Sequence, residues 1–440
     1  MAQTNLPTSM RNFIIVWLGQ MGSNLGSSMS GFAISIWAWQ FTGQVTTLAL
    51  VDFFTLLPGI FITPISGVIV DRCDRKLLMI IGDTVAIIAT IVILLLQLSD
   101  RLQIWHFYVS GVVVGIFNQF QWLAYSASVT LMVPKQQYTR ASSMEFVSGY
   151  GANILAPPLA GFLYPVIGLA GILCIDLVTF AIAVSSILFV NIPKPSVSEA
   201  IQDRLNIWHD LGFGLRYLKA RKGLLALLLI GLLFVLPHDI SDALYAPMIL
   251  SHTENNTVLL GSLASAAGLG GVTGALISSA WGGPKRRIRG VLFGMVGAGL
   301  SKTVFGLGQS PLVWILAQFC SSLNFPVSGS CETAIWLAKV APNVQGRVFA
   351  ARSLLEQLVS AVAYLIAGPL SDHVFKPAMM PGGSLAPILG GVFGTNAGSG
   401  ISLMYVLCAL SMMLVGLWGY NFHMLRDVEA IIPDSDRLTG

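Results

Sequence analysis

The segment Gly67-Val-Ile-Val-Asp71-Arg72-Cys73-Asp74-Arg75-Lys76 joins two long apolar runs, 46–70 and 77–98. It is the densest cluster of charge in the first half of a chain in which only 10% of the residues are charged. Apolar runs of this length predict helices that cross a membrane. Two such helices joined by so short a charged segment must form a hairpin whose turn lies in water.

Each residue type in this turn has a physical role. Gly67 removes a side chain where the two helices approach each other closely. Asp71 is predicted to accept hydrogen bonds from the free backbone N–H groups at the start of the next helix. Arg72, Arg75 and Lys76 place the turn in the cytoplasm, because cytoplasmic loops are rich in basic residues.

The composition indicates an integral membrane protein. Hydrophobic residues make up 55% of the 440 residues, and the mean hydropathy is +0.76. A typical soluble domain contains about 25% charged residues, so little of this chain is left for a soluble domain. The first apolar stretch, 13–39, is too long for the apolar part of a signal peptide and is predicted to span the membrane.

The pattern of apolar runs predicts twelve spans. The rule that basic residues stay inside fits this number, because with both termini in the cytoplasm only Arg101, Lys302 and Lys376 fall outside the cytoplasmic side. The predicted spans are 13–39, 46–70, 77–98, 104–132, 143–166, 170–190, 224–250, 258–281, 288–308, 311–337, 347–374 and 401–423.

The longest predicted cytoplasmic connection divides the chain into two halves of six spans. The prediction is a first bundle over 1–190, a linker over 191–223 and a second bundle over 224–440. Apolar residues recur at helical spacing from Ile201 to Leu218, which predicts an amphipathic helix on the inner membrane surface; a plain linker is the alternative. The halves also repeat each other: Arg140 precedes Ala160-Gly161 as Arg347 precedes Ala367-Gly368.

The turn G-x-x-x-D-R-x-x-R-K resembles motif A of the major facilitator superfamily, which lies between the second and third membrane helices. It matches at Gly67, Asp71, Arg72, Arg75 and Lys76; a merely basic cytoplasmic loop is the alternative. Ala156, Pro157 and Gly161 lie in a segment similar to motif C, which that superfamily associates with exporters, although a general packing face would show the same small residues. The loop 133–141 and the ending Asp427-Val-Glu429 resemble the macrolide-efflux and enterobactin-exporter branch.

The resemblance implies an all-α membrane protein of twelve transmembrane helices in two six-helix bundles, the major facilitator fold. It implies a proton-coupled exporter of amphiphilic small molecules, such as a drug, macrolide or siderophore, that works by alternating access in the plasma membrane, as in a bacterial inner membrane. Motif A would act as a gating element. Proton-coupled uptake of a small solute and a non-transporting receptor or scaffold on the same fold are the alternatives.

Charged residues inside a membrane span are costly and therefore mark candidate functional sites. Asp239 and Asp242 lie on one helix face, and they are predicted to carry the coupling proton unless they face an outer vestibule. The further candidates for proton coupling are Glu145, Glu332 and Glu356, for which ion pairs with Arg140 or Arg352 are the favoured alternative.

Polar residues at helical spacing indicate a substrate cavity. In this fold the first span lines the central cavity, so the resemblance makes its polar stripe a candidate lining; hydrogen bonds between helices are the alternative. The predicted cavity residues are Gln20, Asn24, Asn118, Gln119 and Gln318.

Other classes of function find no support in the sequence. The segment 294–303 has some likeness to a phosphate-binding loop but lacks both required glycines and lies in a span. The five cysteines are scattered without a C-x-x-C pair, so neither disulfides nor a metal site is expected. We expect no enzymatic activity, no cofactor and no nucleic-acid partner, but a monomer that binds a small substrate, protons and the lipid bilayer.

Overall fold

The computed structural model describes residues 10–134, 137–190, 207–341 and 344–431. The side chains of 63–72, 130–131, 138–139, 142–143, 146–147, 150, 207–211 and 430–431 lie outside this description. The described chain is built from helices. In order they are α1 (Met10–Thr42), α2 (Val45–Arg72), α3 (Arg75–Leu98), α4 (Ile104–Met132), α5 (Tyr138–Phe189), α6 (Ile207–Ala220), α7 (Lys222–His252), α8 (Thr257–Trp281), α9 (Arg287–Leu307), α10 (Pro311–Lys339), α11 (Gln345–Leu370), α12 (Lys376–Met379), α13 (Ala386–Phe393), α14 (Ser399–Asn421), α15 (His423–Arg426) and α16 (Val428–Ile431).

One glycine divides the longest helix into two spans. Within α5, Gly168 has a φ of 65° and a ψ of −174°, which no helix accommodates. Glycine adopts a positive φ without steric cost, so the chain changes direction there and then resumes helical geometry. α5 thereby supplies the fifth and sixth predicted spans, and with the ten other long helices it gives the twelve that the sequence predicts.

Hydropathy supports the membrane assignment. Nine helices in the described part of the chain are long and apolar enough to cross a membrane. α1 and α4 have comparable lengths but are not among the nine. Both carry a series of polar side chains that line a cavity, which explains their lower apolar content.

The chain folds into two compact units. The first consists of Met1–Ala38 and Phe54–Arg204, and the second of Trp39–Phe53 and Leu205–Gly440. Each has its own apolar core. In the first unit Phe13, Met79 and Ile187 are completely buried; in the second, Leu227 and Val291 are completely buried and Trp336 is 1% exposed.

Asp74 starts α3. Its carboxylate accepts hydrogen bonds from the backbone N–H groups of Lys76 at 3.0 Å and Leu77 at 3.4 Å. This is the role that the sequence analysis assigns to Asp71, whose side chain lies outside the described part, as do those of Arg72 and the residues around Gly67. The cap is three residues later than predicted because α2 continues to Arg72.

The basic residues after this cap hold the ends of neighbouring helices. Arg75 donates to the carbonyl of Ala127 in α4 at 2.8 Å, and Lys76 donates to the carbonyl of Val190 after α5 at 2.8 Å. Cations are favourable at the C-terminal ends of helices, where free carbonyl groups gather. In the first unit, this turn therefore ties three helices together.

The second unit repeats this contact. Arg287 is the first residue of α9, as Arg75 is of α3, and it donates to the carbonyl of Ala334 in α10 at 3.0 Å. Ala127 and Ala334 lie at the same distance from the ends of α4 and α10. The repeat that the sequence suggests between the halves thus extends to individual hydrogen bonds.

The ending of the chain packs on the second unit. The carboxylate of Glu429 accepts from the backbone N–H of Ile288 at 3.2 Å, and its carbonyl accepts from Lys339 at 2.7 Å. Asp427 lies beside Arg426, His423 and Arg286, and the hydrogen bond from Arg426 lowers the pKa of that carboxyl group. The segment Asp427-Val-Glu429 therefore caps α9 and the end of α10.

The predicted amphipathic helix is present as α6, and residues 191–206 lie outside the described part of the chain. α6 packs against α11: a Cβ at Gly214 would lie 2.6 Å from the carbonyl of Arg347, and Leu218 is 1% exposed. Its apolar face is thus covered at least partly by protein, whereas the sequence analysis places it on the membrane surface.

Candidate functional site

The first unit contains a cavity of about 630 Å³. A volume of this size holds a drug-sized molecule. The lining combines amides, hydroxyls, two carboxylates and aromatic rings, and comes from α1, α3, α4 and α5. It consists of Gln20, Ser23, Asn24, Ser27, Gly82, Asp83, Ala86, Val114, Asn118, Gln121, Trp122, Tyr125, Ser126, Glu145, Ser148, Gly149, Asn153 and Phe180.

α1 contributes the polar stripe that the sequence analysis singles out. Gln20, Asn24 and Ser27 recur at steps of four and three residues, so they share one face of the helix. Asn24 donates to the hydroxyl of Ser148 on α5 at 3.4 Å, and Ser27 donates to Asp176 at 3.3 Å. These residues therefore line a cavity and also join helices, and their role in binding substrate stays a prediction.

Asp83 is the most completely buried polar residue of the cavity lining. Its side chain is completely buried, and it accepts hydrogen bonds from the side-chain amides of Gln20, at 3.2 Å, and Gln121. Gln121 also donates to the side-chain oxygen of Gln20 at 3.4 Å. Gly82 leaves room for this contact, since a Cβ there would lie 2.7 Å from the Cβ of Gln121.

The sequence analysis does not single out Asp83. The signal was available, because an Asp inside the apolar run 77–98 is the same kind of charge that marks Asp239 and Asp242. What the sequence does not show is that two glutamines from different helices converge on it.

α4 presents one polar and aromatic face to the cavity. Asn118, Gln121, Trp122 and Tyr125 follow the spacing of a single helical face. Gln119 does not line this cavity, since one residue along a helix turns the side chain by about 100° away from Asn118.

Glu145 and Gln318, two further residues predicted from the sequence, lie in different units. Glu145 lines the cavity, and its Oε1 is buried without a hydrogen-bond partner in the described part of the chain. It forms no ion pair with the exposed Arg140, against the favoured expectation. Gln318 lies on α10 in the second unit, and its Oε1 is likewise buried without a described partner.

The second unit has its own buried polar cluster, centred on Lys302. The ammonium group of Lys302 is 3.0 Å from Nδ1 of His238 and donates to the hydroxyl of Ser241 at 2.8 Å. Because an ammonium group has only donors, Nδ1 of His238 must be the acceptor. Lys302 is 5% exposed. The sequence does not reveal these partners, because His238 and Ser241 become neighbours of Lys302 only through helix packing.

Asp239 and Asp242 lie on α7, the helix that also carries His238 and Ser241. Their charges act on Lys302, although neither forms a direct ion pair with it in the described structure. Asp52, from the segment of α2 that belongs to the second unit, interacts electrostatically with Asp242. Asp239 and Asp242 therefore both interact with one buried cation, Lys302, and Asp242 also interacts with Asp52.

Glu332 and Glu356 are joined by one arginine. Arg352 pairs with Glu332 at 2.8 Å and with Glu356 at 2.7 Å, and its guanidinium lies 5.0 Å from the ring centroid of Trp336. The indole of Trp336 donates to Glu332 at 3.1 Å. These contacts correspond to the ion pairs that the sequence analysis favours over proton sites.

The small residues of the segment similar to motif C form a buried stripe. Ala152 is 5% exposed, and Ala156 and Ala160 are completely buried, at steps of four residues on one side of α5. Pro157 lies inside the helix, next to this stripe. The geometry is that of a close packing face, and the association with export stays a prediction.

Outside the cavity, side-chain contacts join the residues after α11 to the start of α2 in the second unit. The carboxylate of Asp372, after α11, accepts from the backbone N–H groups of Val45 at 3.2 Å and Thr46 at 2.8 Å, and thus caps α2. Lys376 pairs with Asp372 at 2.6 Å and donates to the carbonyl of Gly43 at 2.9 Å. We call these four contacts the Asp372 clamp.

No group of three or more His, Cys, Asp or Glu side chains among the described residues is arranged to hold a metal ion. The cavity is lined by hydrogen-bonding, charged and aromatic side chains. Such a site can bind and release an organic molecule.

Comparison with known proteins gives the family. Residues 16–364 match the model of the Major Facilitator Superfamily. The chain belongs to the Major Facilitator Superfamily. It is a membrane transporter and not an enzyme, and the resemblance seen at motif A is confirmed.

Relatives in this superfamily include macrolide efflux proteins. Macrolide efflux protein A of Streptococcus pyogenes is 27% identical over 368 residues, which cover 82% of this chain and 90% of that protein. Macrolide efflux protein A of Enterococcus faecalis is 29% identical over 314 residues, which cover 70% of this chain and 95% of that protein. The predicted likeness to the macrolide-efflux branch is thereby confirmed.

Solved structures of the superfamily share the fold. A bacterial homologue of the human lysosomal transporter Spinster superposes with a TM-score of 0.73 at 13% identity, over 97% of this chain and 98% of that one. A bacterial homologue of the iron transporter ferroportin gives a TM-score of 0.67 at 16% identity, over 93% and 98%. The all-α Major Facilitator Superfamily fold that the sequence predicts is confirmed.

Proposed function

We propose that the chain is a secondary exporter that moves an amphiphilic organic molecule of the macrolide class out of the cell in exchange for protons. The observation that carries the proposal is the cavity of the first unit, because its amides, hydroxyls and aromatic rings suit a molecule with both polar and apolar faces. The macrolide efflux relatives support the substrate class and the direction. Alternating access in a bacterial inner membrane, by a monomer, is the mechanism we expect.

Proton coupling is assigned to the second unit. Asp239 and Asp242 interact electrostatically with a buried lysine in a membrane segment, so a change in their protonation would alter the balance of charge around Lys302. Binding of a proton to this cluster would thus favour one state of the transporter over another. The Arg352 cluster, in contrast, is a closed set of ion pairs and suits a structural or gating role.

The proposal is tested by accumulation of radiolabelled erythromycin in bacteria that lack their main efflux pumps. Cells that express the chain should accumulate less erythromycin than vector cells, and a protonophore should abolish the difference. Accumulation above the vector level would replace export by uptake. Equal accumulation in both strains would overturn the macrolide assignment.

The coupling site is tested by Asp239→Asn, which keeps the shape of the side chain and removes its charge. We expect export to fall to near the vector level while the amount of protein in the membrane is unchanged. Asp100→Asn is the matched control, because Asp100 is exposed in the turn after α3 and its φ of 54° suits Asn. Full export by Asp239→Asn would exclude this residue from coupling.

A further inference from the structure

The turn before α9 is strongly basic. Lys285, Arg286, Arg287 and Arg289 lie in the segment 282–289, whose sequence contains no Asp or Glu. The N-terminal end of a helix is the positive end of its dipole, and its first backbone N–H groups have no carbonyl partners within the helix. Cations gathered at that end are unfavourable, so the start of α9 requires a negative group from another part of the chain.

In the first unit, an acid within the turn itself caps the equivalent helix. Asp74 lies directly before Arg75, the first residue of α3, and its carboxylate accepts from backbone N–H groups of that helix. Arg286 has the corresponding place before Arg287, the first residue of α9. Both preceding residues have an extended backbone, with φ and ψ of −68° and 112° at Asp74 and −101° and 102° at Arg286. The side chain of Arg286, however, makes no capping hydrogen bond.

Glu429 supplies a carboxylate to α9 from the far end of the chain. The carboxylate accepts from the backbone N–H of Ile288 at 3.2 Å. Ile288 is the second residue of α9, as Lys76 is the second residue of α3, whose backbone N–H donates to Asp74 at 3.0 Å. The two carboxylates therefore occupy equivalent places, although Glu429 follows Ile288 by 141 positions.

The contacts around Glu429 hold its side chain in place. Lys339 is 7% exposed and donates to the backbone carbonyl of Glu429 at 2.7 Å. Leu425 and Val428, which precede Glu429, are completely buried in the apolar core of the second unit. Because the backbone is already ordered by these contacts, the capping bond requires little further loss of conformational entropy.

α9 also carries a residue of the proposed coupling cluster. Lys302 lies on this helix and contacts His238 and Ser241 of α7, at 3.0 Å and 2.8 Å. A helix is a rigid element, so a shift along its axis or a rotation about it moves all of its side chains together. The support of the first turn of α9 therefore bears on the position of Lys302.

We propose that Glu429 is the capping acid of α9, and that it is a positioning residue for proton-coupled export through Lys302. The second part of this inference rests on the proposed function. The segment Asp427-Val-Glu429, which follows the last span, is thereby required for transport.

The capping role is tested by hydrogen exchange and mass spectrometry on the purified full-length chain in detergent. Glu429→Ala should raise exchange in the first turn of α9 by about fivefold or more, since Ile288 loses its acceptor. Arg286→Asp combined with Glu429→Ala should bring exchange back to within about twofold of the original, because an Asp before Arg287 caps α9 as Asp74 caps α3. Unchanged exchange in Glu429→Ala, or fast exchange in the double variant, would overturn the capping role.

Asp427→Ala is the matched control within the same segment. Asp427 contacts the side chains of Arg286, His423 and Arg426. Its loss should therefore leave exchange in α9 within about twofold of the original. An equal rise in Asp427→Ala and Glu429→Ala would overturn the assignment to Glu429. If Glu429→Ala does not accumulate in the membrane, the double variant should do so, and loss of both would also contradict the inference.

The positioning role is tested by erythromycin export in inverted membrane vesicles. Glu429→Ala should lower the maximal rate by about tenfold while the half-saturating erythromycin concentration stays within about twofold, since the cavity of the first unit is unchanged. The double variant should recover the rate. An original rate in Glu429→Ala, together with raised exchange, would overturn the positioning role. Absence of export by the unchanged chain would overturn the transport proposal alone, because the exchange measurement does not require transport.

Discussion

Arg352 shows how a single residue decides the state of two acids. It bridges Glu332 and Glu356, which would otherwise face each other as like charges near the turn between α10 and α11. The side chains keep between 15% and 33% of their exposure, so the cluster is only partly shielded from solvent. Its stability thus depends on the arginine more than on any other member.

Arg352→Met should destabilise the protein by about 2 kcal/mol or more, less than for a fully buried pair because solvent screens part of the repulsion. The measurement is thermal unfolding followed by tryptophan fluorescence. Arg286→Met is the control: Arg286 is 58% exposed and lies 3.9 Å from Asp427, and surface pairs contribute little. Equal melting temperatures for the two variants would contradict a stabilising role of Arg352.

Gly168 is a second position where one residue type is required. Its positive φ of 65° ends one span of α5 and starts the next, and a Cβ there would meet no other atom within 4 Å. Backbone conformation is thus the only penalty for a larger residue. Gly168→Ala should cost about 1–2 kcal/mol.

Gly149→Ala is the matched test for Gly168→Ala, because Gly149 is helical and a Cβ there also meets nothing within 4 Å. Alanine favours helix by about 0.5–1 kcal/mol over glycine, so this variant should unfold at the same or a higher temperature. A lower melting temperature for Gly149→Ala than for Gly168→Ala would refute the conformational argument.

At the scale of elements, α2 depends on a distant residue for its start. Asp372 follows α11 and caps α2 through Val45 and Thr46, more than 300 residues earlier in the chain. The segment Trp39–Phe53 clusters with the second unit, while the rest of α1 and α2 clusters with the first. The Asp372 clamp therefore lies within the second unit and holds the start of α2 there.

Asp372→Ala should raise the rate of amide hydrogen exchange at Val45 and Thr46, because it removes the acceptor that caps α2. The loss of a cap of this kind costs about 1 kcal/mol, which corresponds to roughly fivefold faster exchange. Lys376→Gln serves as the comparison, since it removes the ion pair and leaves the cap in place. Unchanged exchange in Asp372→Ala would mean that α2 does not need this cap.

At the scale of the whole molecule, basic residues lie almost entirely on one side of the predicted spans. Only Arg101, Lys302 and Lys376 depart from the cytoplasmic side when both termini are placed inside. Arg75, Lys76 and Arg287 also bind helix ends, so their position serves both topology and packing. The orientation is a prediction from charge alone.

A green fluorescent protein fused to the C-terminus should fluoresce, because it folds in the cytoplasm of bacteria. Alkaline phosphatase inserted in the outer connection at Asn396 should be active, since that enzyme needs an oxidising compartment. The two reporters exchanged between these positions should both be inactive. The opposite pattern would invert the predicted topology.

The sequence by itself determined the class, the number of spans, the motif A turn and the polar stripe of α1. These properties depend on local hydropathy and spacing along one helix, which the order of residues states directly. Asp239 and Asp242 are candidates for the same reason, because a charge in an apolar run can be recognised without knowledge of its neighbours.

Only the tertiary structure decided which of these polar groups meet. Asp83 receives its hydrogen bonds from residues 63 and 38 positions away, and Lys302 finds His238 64 positions away. Such meetings depend on the rotation and depth at which helices pack, and shifting a helix by one residue turns each side chain about 100°. The hydropathy of a helix does not change with such a rotation, so hydropathy cannot predict which side chains meet. The partners of Asp83 and Lys302 are therefore seen only in the packed helices.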